Sequence, residues 1–219
     1  MGIKMALLSE KDSKYLRQEF SSALKENVKI VFFKSENACM YCKETKEIMT
    51  ELAGLSDKIS FIEYDFDTDK DKVKQYSVKR TPAIVIEGDK DYGIRFYGIP
   101  AGHEFMTVIQ ALINVSSKSH SLSEITVSKL KEIAKPFNIQ VFVTPTWPHC
   151  PPATVLAHNF ALVNDNISAD VIEIQEFQNL ADKYEVFSVP KSVMNDNGEV
   201  VGAVPEHIFL NKVIEAYKA

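Results

Sequence analysis

The chain has 219 residues, of which 45% are hydrophobic and 25% charged, and this composition excludes a disordered chain because it supports one large core or two small ones. Its 25 basic and 30 acidic residues are interleaved and give a net charge of -5, so there is no basic stripe for nucleic acid. Apolar runs such as 30–33 and 83–86 are far shorter than the roughly 20 residues that cross a bilayer. We therefore expect neither nucleic acid nor a membrane as a partner.

The first half of the chain predicts a regular series of helices and strands. A helix opens with the capping box Ser9 to Asp12, and a β-rich run at 28–33 follows it. The next helix carries apolar residues at helical spacing, namely Ile48, Met49, Leu52 and Leu55. The remaining elements are a strand at 59–66, a short helix, a strand at 82–86 opened by a proline, a turn at 88–91 and a helix at 103–115.

The second half predicts the same series again. A capping box at Ser121 to Glu124 is followed by a strand at 139–143 and a helix with apolar residues Val155, Leu156 and Phe160. A strand at 169–174, a short helix, a strand at 190–194, a turn at 195–198 and a helix at 207–217 complete it. Within the turn, Asn197-Gly198 predicts a tight hairpin because both residue types tolerate positive φ.

Repeated residues show how the two halves correspond. Three residues recur 108 positions later: Tyr76, Val78 and Pro82 correspond to Tyr184, Val186 and Pro190. At the same separation Cys42 falls on Cys150, and Cys39 lies opposite Trp147. Segments 31–33 and 141–143 align at 110 instead, so the loop before the site differs in length. The polar stretch 116–121 predicts a boundary between two units, 1–117 and 118–219.

Three cysteines, Cys39, Cys42 and Cys150, are too few for a disulfide scaffold. Cys39 to Cys42 form a C-x-x-C motif, which alone suits a redox dithiol, half of a zinc site or neither. A closed zinc site needs two more ligands, and the sequence offers no second C-x-x-C, C-x-x-H or H-x3-H pair. The five histidines stand singly, which predicts capping, surface or packing roles. We therefore expect a dithiol, with no metal and no cofactor.

The order strand, helix, strand, helix, hairpin, helix, with a C-x-x-C at the start of the first helix, resembles the thioredoxin fold. Two tandem copies resemble the glutaredoxin-like protein disulfide oxidoreductases of thermophilic prokaryotes, and further marks are MALLSEKD, YGIPAGHEF and VFVTPT. The resemblance implies an α/β chain of two tandem thioredoxin-fold units, each a central mixed β-sheet flanked by helices. It also implies that Pro82 and Pro190 follow cis peptide bonds.

The first site suits thiol–disulfide exchange. Cys39 is expected at or just before a helix N-terminus, where free N–H groups and the helix dipole stabilise a thiolate, so it is the predicted nucleophile. Cys42, one helical turn further in and less exposed, is predicted to resolve the mixed disulfide. Thr81 and Pro82 are expected to present an extended main-chain edge to a substrate. Tyr41 resembles the tyrosine of glutaredoxin-type C-P-Y-C sites, with a solvent-facing aromatic as the alternative.

The second site lacks a dithiol, since related second sites read T-P-T-C-P-Y-C-P and this chain has Trp147 and His149 as departures. Cys150 then corresponds to Cys42, with Pro190 beside it; in an alternative register Cys150 is the nucleophile of a degenerate Cys150-Pro-Pro-Ala153. Trp147 either fills the space around a lost site or forms an apolar platform for unfolded substrates. Cys150 is expected to be a partly buried, inert thiol.

Three functions follow from these observations. The first is a thiol-disulfide oxidoreductase acting on disulfides or dithiols of protein substrates. The second is an electron carrier that accepts electrons from a flavoprotein thioredoxin reductase and passes them to a peroxide-reducing enzyme. The third is a redox-inactive binding or chaperone-like module. The apolar run 5–8 is too short for the core of a signal peptide, so we expect a cytoplasmic protein.

Overall fold

A computed structural model of the chain describes residues 8–37 and 39–219. Most of the apolar run 5–8, and with it the start of the MALLSEKD segment, lies outside these residues. The helices are α1 Glu10–Ala23, α2 Cys42–Ala53, α3 Lys70–Gln75, α4 Phe105–Ser117, α5 Glu124–Leu130, α6 Cys150–Val163, α7 Gln178–Lys183 and α8 Glu206–Lys218, with a 3-10 turn at Gly102–Glu104. The strands are β1 Val28–Lys34, β2 Ile59–Asp65, β3 Ala83–Glu87, β4 Asp91–Tyr97, β5 Phe137–Val143, β6 Ile167–Glu173, β7 Lys191–Met194 and β8 Gly198–Val201.

The predicted pair of mixed α/β units is confirmed, and their strands join into one eight-stranded sheet of order β2-β1-β3-β4-β6-β5-β7-β8. In each unit the first two strands are parallel and the last two form an antiparallel hairpin. The join is a parallel pairing of β4 with β6, in register from Ile94 opposite Ala169 to Tyr97 opposite Ile172. As a result β1 and β5, the strands that lead into the two sites, end at the same edge of one sheet.

The helices divide unequally between the two faces of the sheet. One apolar cluster packs α1, α2, α4, α5, α6 and α8 on one face, and a smaller cluster packs α3 and α7 on the other. Helix α6 is buried on most of its circumference, as its run of apolar residues requires, and it contacts α4 and β4 of the first unit. The site helices α2 and α6 therefore lie on the same face of the sheet.

Two local predictions need correction. The N-cap of α5 is Ser123, which accepts from the Thr126 N–H (3.3 Å), and not Ser121, which instead accepts from the Asn159 side chain. Positive φ angles in the last hairpin fall on Asn195 and Asp196, not on Asn197-Gly198. The Asn195 side chain also accepts from the Asn138 N–H (2.7 Å), which ties the turn to β5. The cap of α1 is confirmed, because Ser9 accepts from the Asp12 N–H (3.1 Å).

Both predicted cis bonds are present, at Thr81-Pro82 and Val189-Pro190. In each unit a glycine with positive φ donates to the carbonyl of that proline: Gly98 to Pro82 (3.0 Å) and Gly202 to Pro190 (2.7 Å). A side chain on Gly98 would lie 2.6 Å from Cβ of Glu173, because the second unit packs there. Nothing lies within 4 Å of the same position on Gly202, so this side of the second unit is open.

Along the described ranges no helix has both the length and the apolar character that a bilayer crossing requires.

Candidate functional site

The first site is a disulfide between Cys39 and Cys42, whose Cα atoms are 5.5 Å apart. Cys42 is the first residue of α2, and Tyr41 is its N-cap. The expectation that Cys42 lies a full turn inside the helix is therefore wrong: the turn that joins the cysteines precedes the helix, and the first helical bond runs from the Thr45 N–H to the Tyr41 carbonyl (2.9 Å). Both cysteines are half-buried.

Side chains from the next strand end hold the loop that carries Cys39. The Ser35 hydroxyl donates to Asp67 (2.7 Å) and accepts from the Asn37 N–H (3.1 Å), while the Asn37 amide also donates to Asp67 (3.3 Å). Asp65 at the end of β2 accepts from the N–H groups of Asp67 and Thr68, and these bonds lower its pKa. The loop between β1 and α2 is thus fixed by bonds to the loop after β2.

The substrate-binding candidates lie at the same edge of the sheet as the dithiol. Ala83, which begins β3, pairs with Phe33 near the end of β1, so the cis bond before it lies beside the end of β1. Thr81 is buried, and its main chain makes no hydrogen bond to another described residue. Tyr41 is 38% exposed and Met40 is 66% exposed. The structure thus places Tyr41 between the two cysteines, and Thr81 and Pro82 at the edge of the sheet where β1 ends, without assigning them a task.

A cavity of about 440 Å³, which we call the Met40 cavity, adjoins the first site. Its wall comes from the second unit: residues 175–180, the loop after β6 and the start of α7, face Met40. Glu176 in this wall accepts from the Ile99 N–H (2.5 Å), and burial raises its pKa to about 7, with the charges of Glu173 and Glu44 adding to the rise. No sequence pattern reveals this contribution of the second unit, because it depends on the β4–β6 join.

The second site begins in the same way as the first. Cys150 is the first residue of α6, three residues after Trp147, and its N–H donates to the Trp147 carbonyl (3.2 Å). Phe142 pairs with Lys191 as Phe33 pairs with Ala83, so the strands correspond at a separation of 109, and the predicted value of 110 is wrong. The connecting loop is one residue shorter than in the first unit.

Cys150 is fully buried, more so than predicted, and has no cysteine partner among the described residues. Burial raises the pKa of its thiol to about 11. The thiol is therefore almost entirely protonated at neutral pH and unsuited to nucleophilic attack.

A surface cleft of about 550 Å³, which we call the Trp147 cleft, lies at the second site, beside the loop that leads to Cys150. Its lining contains no Asp, Glu, Lys or Arg and consists of Thr144, Thr146, Trp147, His149, Ser188, Val189, Pro190, Gly202 and Ala203. Trp147 is 48% exposed and makes an edge contact with the His149 ring at 5.4 Å. Trp147 thus presents part of its ring to solvent beside the second cis bond.

Glu104 is a buried carboxyl near Cys150 that was not predicted from the sequence. It accepts from the hydroxyls of Thr107 (3.2 Å) and Thr154 (3.1 Å), and burial raises its pKa to about 7. Its charge adds to the rise in the pKa of Cys150. The signal that could have revealed Glu104 is a lone acid opening the apolar helix 105–115.

The described residues contain no group of three or more His, Cys, Asp and Glu side chains that could hold a metal ion. Four histidines are exposed, and His158 is buried inside α6 with a pKa lowered by burial to about 4.

Two tandem mixed α/β units joined in one sheet, a C-x-x-C at the start of a helix and a cis-proline before β3 define a thioredoxin-like protein. A sequence model described as "Thioredoxin domain" matches residues 26–110 and 137–215, and the chain belongs to this family. It is similar to the crystal structure of a protein disulfide oxidoreductase from Aeropyrum pernix, with 28% identity, a TM-score of 0.88, and 99% of this chain and 97% of that chain covered.

Two further similarities concern the alkyl hydroperoxide reductase protein AhpF. The NTD_N/C domain of AhpF from Enterococcus faecalis is 25% identical, with a TM-score of 0.85, and 96% of this chain and 99% of that chain are covered. The corresponding alkyl hydroperoxide reductase protein of Staphylococcus aureus is 26% identical over 161 residues, which is 73% of this chain and 29% of that protein. The chain thus spans less than a third of the length of these curated relatives.

Proposed function

We propose that the chain is a thiol-disulfide oxidoreductase that exchanges disulfides in protein substrates through Cys39 and Cys42. The observation that carries this proposal is the Cys39–Cys42 disulfide at the start of α2, at the same edge of the sheet as the Thr81-Pro82 cis bond. Similarity to the Aeropyrum pernix protein disulfide oxidoreductase over nearly the whole chain supports it.

In the reducing direction the Cys39 thiolate attacks one sulfur of a substrate disulfide. The Cys39–substrate bond forms, the substrate disulfide breaks, and the second substrate sulfur leaves as a thiolate that takes up a proton. The Cys42 thiolate then attacks Sγ of Cys39 and releases the first substrate sulfur. Two electrons have passed to the substrate, and the protein is left with the Cys39–Cys42 disulfide. A dithiol reductant reverses these steps.

Position and electrostatics favour Cys39 as the attacking group. The first N–H groups of α2 have no partner within the helix and point toward the loop that carries Cys39, so they stabilise a thiolate there. Cys42 belongs to the helix itself and packs against the apolar cluster, which suits a thiol that acts second. The free main chain of Thr81 allows an extended substrate segment to pair beside the sulfur, with Tyr41 next to it.

Reduction of insulin by dithiothreitol tests the proposal. Wild-type protein should accelerate insulin precipitation, and Cys39→Ser should not. Equal rates for the two proteins would contradict the oxidoreductase hypothesis and favour a redox-inactive binding or chaperone-like module.

A second candidate is an electron carrier, favoured by the similarity to the AhpF proteins of alkyl hydroperoxide reductases. The same dithiol would take electrons from a flavoprotein reductase and reduce a disulfide in a peroxide-reducing enzyme. The measurement is NADPH or NADH consumption with a flavoprotein reductase and a peroxide-reducing partner, with and without the protein. Insulin reduction without such coupling would leave general disulfide exchange as the function.

The unit boundary after residue 117 and a cytoplasmic location complete the proposal. Helix α4 ends at Ser117, which agrees with this boundary. The first unit would then supply the chemistry and the second unit would bind substrate or act as a scaffold. Fractionation of cells tests the location.

A further inference from the structure

The chemistry of the Trp147 cleft suits an apolar side chain. Its lining contains no Asp, Glu, Lys or Arg, and Trp147 exposes about half of its surface there. Phe187, one residue before the lining residue Ser188, is 91% exposed. Two exposed aromatic rings beside an uncharged cleft give little to hold a charged ligand and a favourable surface for an aromatic or aliphatic one.

The main chain at the cleft suits a polypeptide. The Pro190 carbonyl accepts a hydrogen bond from Gly202, as the Pro82 carbonyl accepts one from Gly98. The main chain of Val189, in contrast, makes no hydrogen bond to another described residue. An extended segment can therefore pair with Val189 as a substrate would pair with Thr81 in the first unit. The open side of Gly202 leaves room for it.

The Trp147 cleft and the first dithiol lie at the same edge of one sheet, at a separation that a substrate can bridge. Strands β1 and β5 run in the same direction and are four strand spacings apart, which at about 4.8 Å each gives roughly 20 Å, and the twist of the sheet widens it somewhat. An extended chain covers about 3.3 Å per residue, so about six to eight residues link the two positions.

Part of the surface between the two positions adjoins the first site. The Met40 cavity beside the dithiol has its wall in residues 175–180 of the second unit, from the loop after β6. Strand β6 lies between β4 and β5, so this loop stands midway along the edge. A substrate segment that extends from Cys39 toward Trp147 would therefore meet the second unit within its first few residues.

We propose that the Trp147 cleft holds an apolar side chain of an extended substrate polypeptide, six to eight residues from the cysteine that Cys39 attacks. This inference rests on the proposed function and adds a substrate class: unfolded or extended chains in which an aromatic or aliphatic residue lies at that distance from a disulfide. No bond forms or breaks in the cleft, because Cys150 is buried and the unit has no dithiol.

Peptides of fixed length test the spacing. Each carries one cysteine in a mixed disulfide with 2-nitro-5-thiobenzoate and one Phe placed two, seven or twelve residues away, with Ser as the reference. Reduced protein should release the nitrothiobenzoate about fivefold faster from the peptide with spacing seven than from the Ser peptide, with little gain at spacing two. In Trp147→Ala and Phe187→Ala the ratio between these two peptides should fall toward one. Ile125→Ala, which alters an apolar residue on α5 that is 74% exposed, should keep it.

Binding without chemistry separates this inference from the proposed function. Trp147 is the only tryptophan, so its fluorescence reports the cleft. Cys39→Ser protein should change its emission with a Phe peptide whose cysteine is replaced by Ser, and not with the matching all-Ser peptide. If the peptide changes the emission but wild-type protein shows no turnover, the proposed oxidoreductase function is rejected, while binding of an apolar side chain in the Trp147 cleft is retained. Turnover without spacing dependence and without emission change would overturn the inference. The inference would also be overturned if the emission changed with protein concentration alone and sedimentation showed self-association over the same range. That result would mean that a second copy of this chain occupies the cleft.

Discussion

Cys42 and Cys150 occupy the same place in their units, since each is the first residue of the helix that follows the unit's first strand. Cys42 is bonded to Cys39 and half-buried, whereas Cys150 is completely buried and has Trp147, not a cysteine, three residues before it. One substitution in the C-x-x-C pattern thus separates a dithiol from an isolated thiol. This difference, together with the buried acid Glu104, leads to four expected outcomes.

Cys39 should be the first cysteine to react with iodoacetamide after reduction at neutral pH. It stands before a helix N-terminus, whereas the Cys150 thiol, with a pKa of about 11, is ionised in only about one molecule in ten thousand at pH 7. Brief alkylation followed by mass-spectrometric peptide mapping gives the order. Faster labelling of Cys150 would show that the active unit has been misassigned.

Replacing Cys150 by Ala should leave the turnover of a small disulfide nearly unchanged, while Cys39→Ser should abolish it. The reason is that Cys150 has no resolving partner and is closed to solvent. The lost buried sulfur should lower the free energy of unfolding by about 1 to 2 kcal/mol, measured by urea titration. A large loss of turnover in Cys150→Ala, with normal folding, would mean that electrons pass through this thiol.

Replacing Trp147 by Cys should restore a dithiol in the second unit. The Cys150 N–H donates to the carbonyl of residue 147, so the main chain forms a turn between these two positions. Cys39 and Cys42 form a disulfide at the same sequence separation of three residues. Thiol titration and intact mass after mild oxidation should show one additional disulfide. Thr146→Cys, one position earlier, is the control and should remain a free thiol. A folded Trp147→Cys protein without the bond would show that residues 147 and 150 are not held at bridging distance, although Cys150 occupies the place of Cys42.

Replacing Glu104 by Gln should stabilise the protein at high pH and not at low pH. Burial raises the folded-state pKa of Glu104 from 4.5 to about 7, so its contribution to stability is fully present below pH 4.5 and is lost as the pH rises through 7. The difference between Glu104→Gln and wild type should be near zero at pH 4 and on the order of 3 kcal/mol at pH 8. Urea unfolding at several pH values measures it, and the exposed Glu124→Gln is the control. A difference that does not change with pH would show that Glu104 does not titrate between these values.

The two units, their order of elements and the dithiol could all be predicted from the order of the residues. Residues 108 apart revealed the repeat, and Cys39 to Cys42 needed only their spacing and the absence of further metal ligands. Local signals also placed most strands within two residues, because short apolar runs between turn residues have few alternatives. The turn at 195–198 was predicted correctly, but its residues with positive φ, Asn195 and Asp196, and the cap at Ser123 each lie two residues from the predicted positions. Several neighbouring residues have the required propensity, and tertiary bonds to Asn138 and Asn159 favour one of them.

The way in which the two units meet could not be predicted and depends on tertiary contacts. The parallel join of β4 with β6 lies between residues more than 70 positions apart, and no local pattern specifies it. That join places residues 175–180 beside Met40 of the first site, leaves Glu104 buried and Glu176 half-buried, and sets the Trp147 cleft on the same edge as Cys39. The pKa of a carboxyl and the reach of a substrate depend on burial and distance, which arise when the sheet forms, whereas a repeat and a C-x-x-C motif are already complete in the order of the residues.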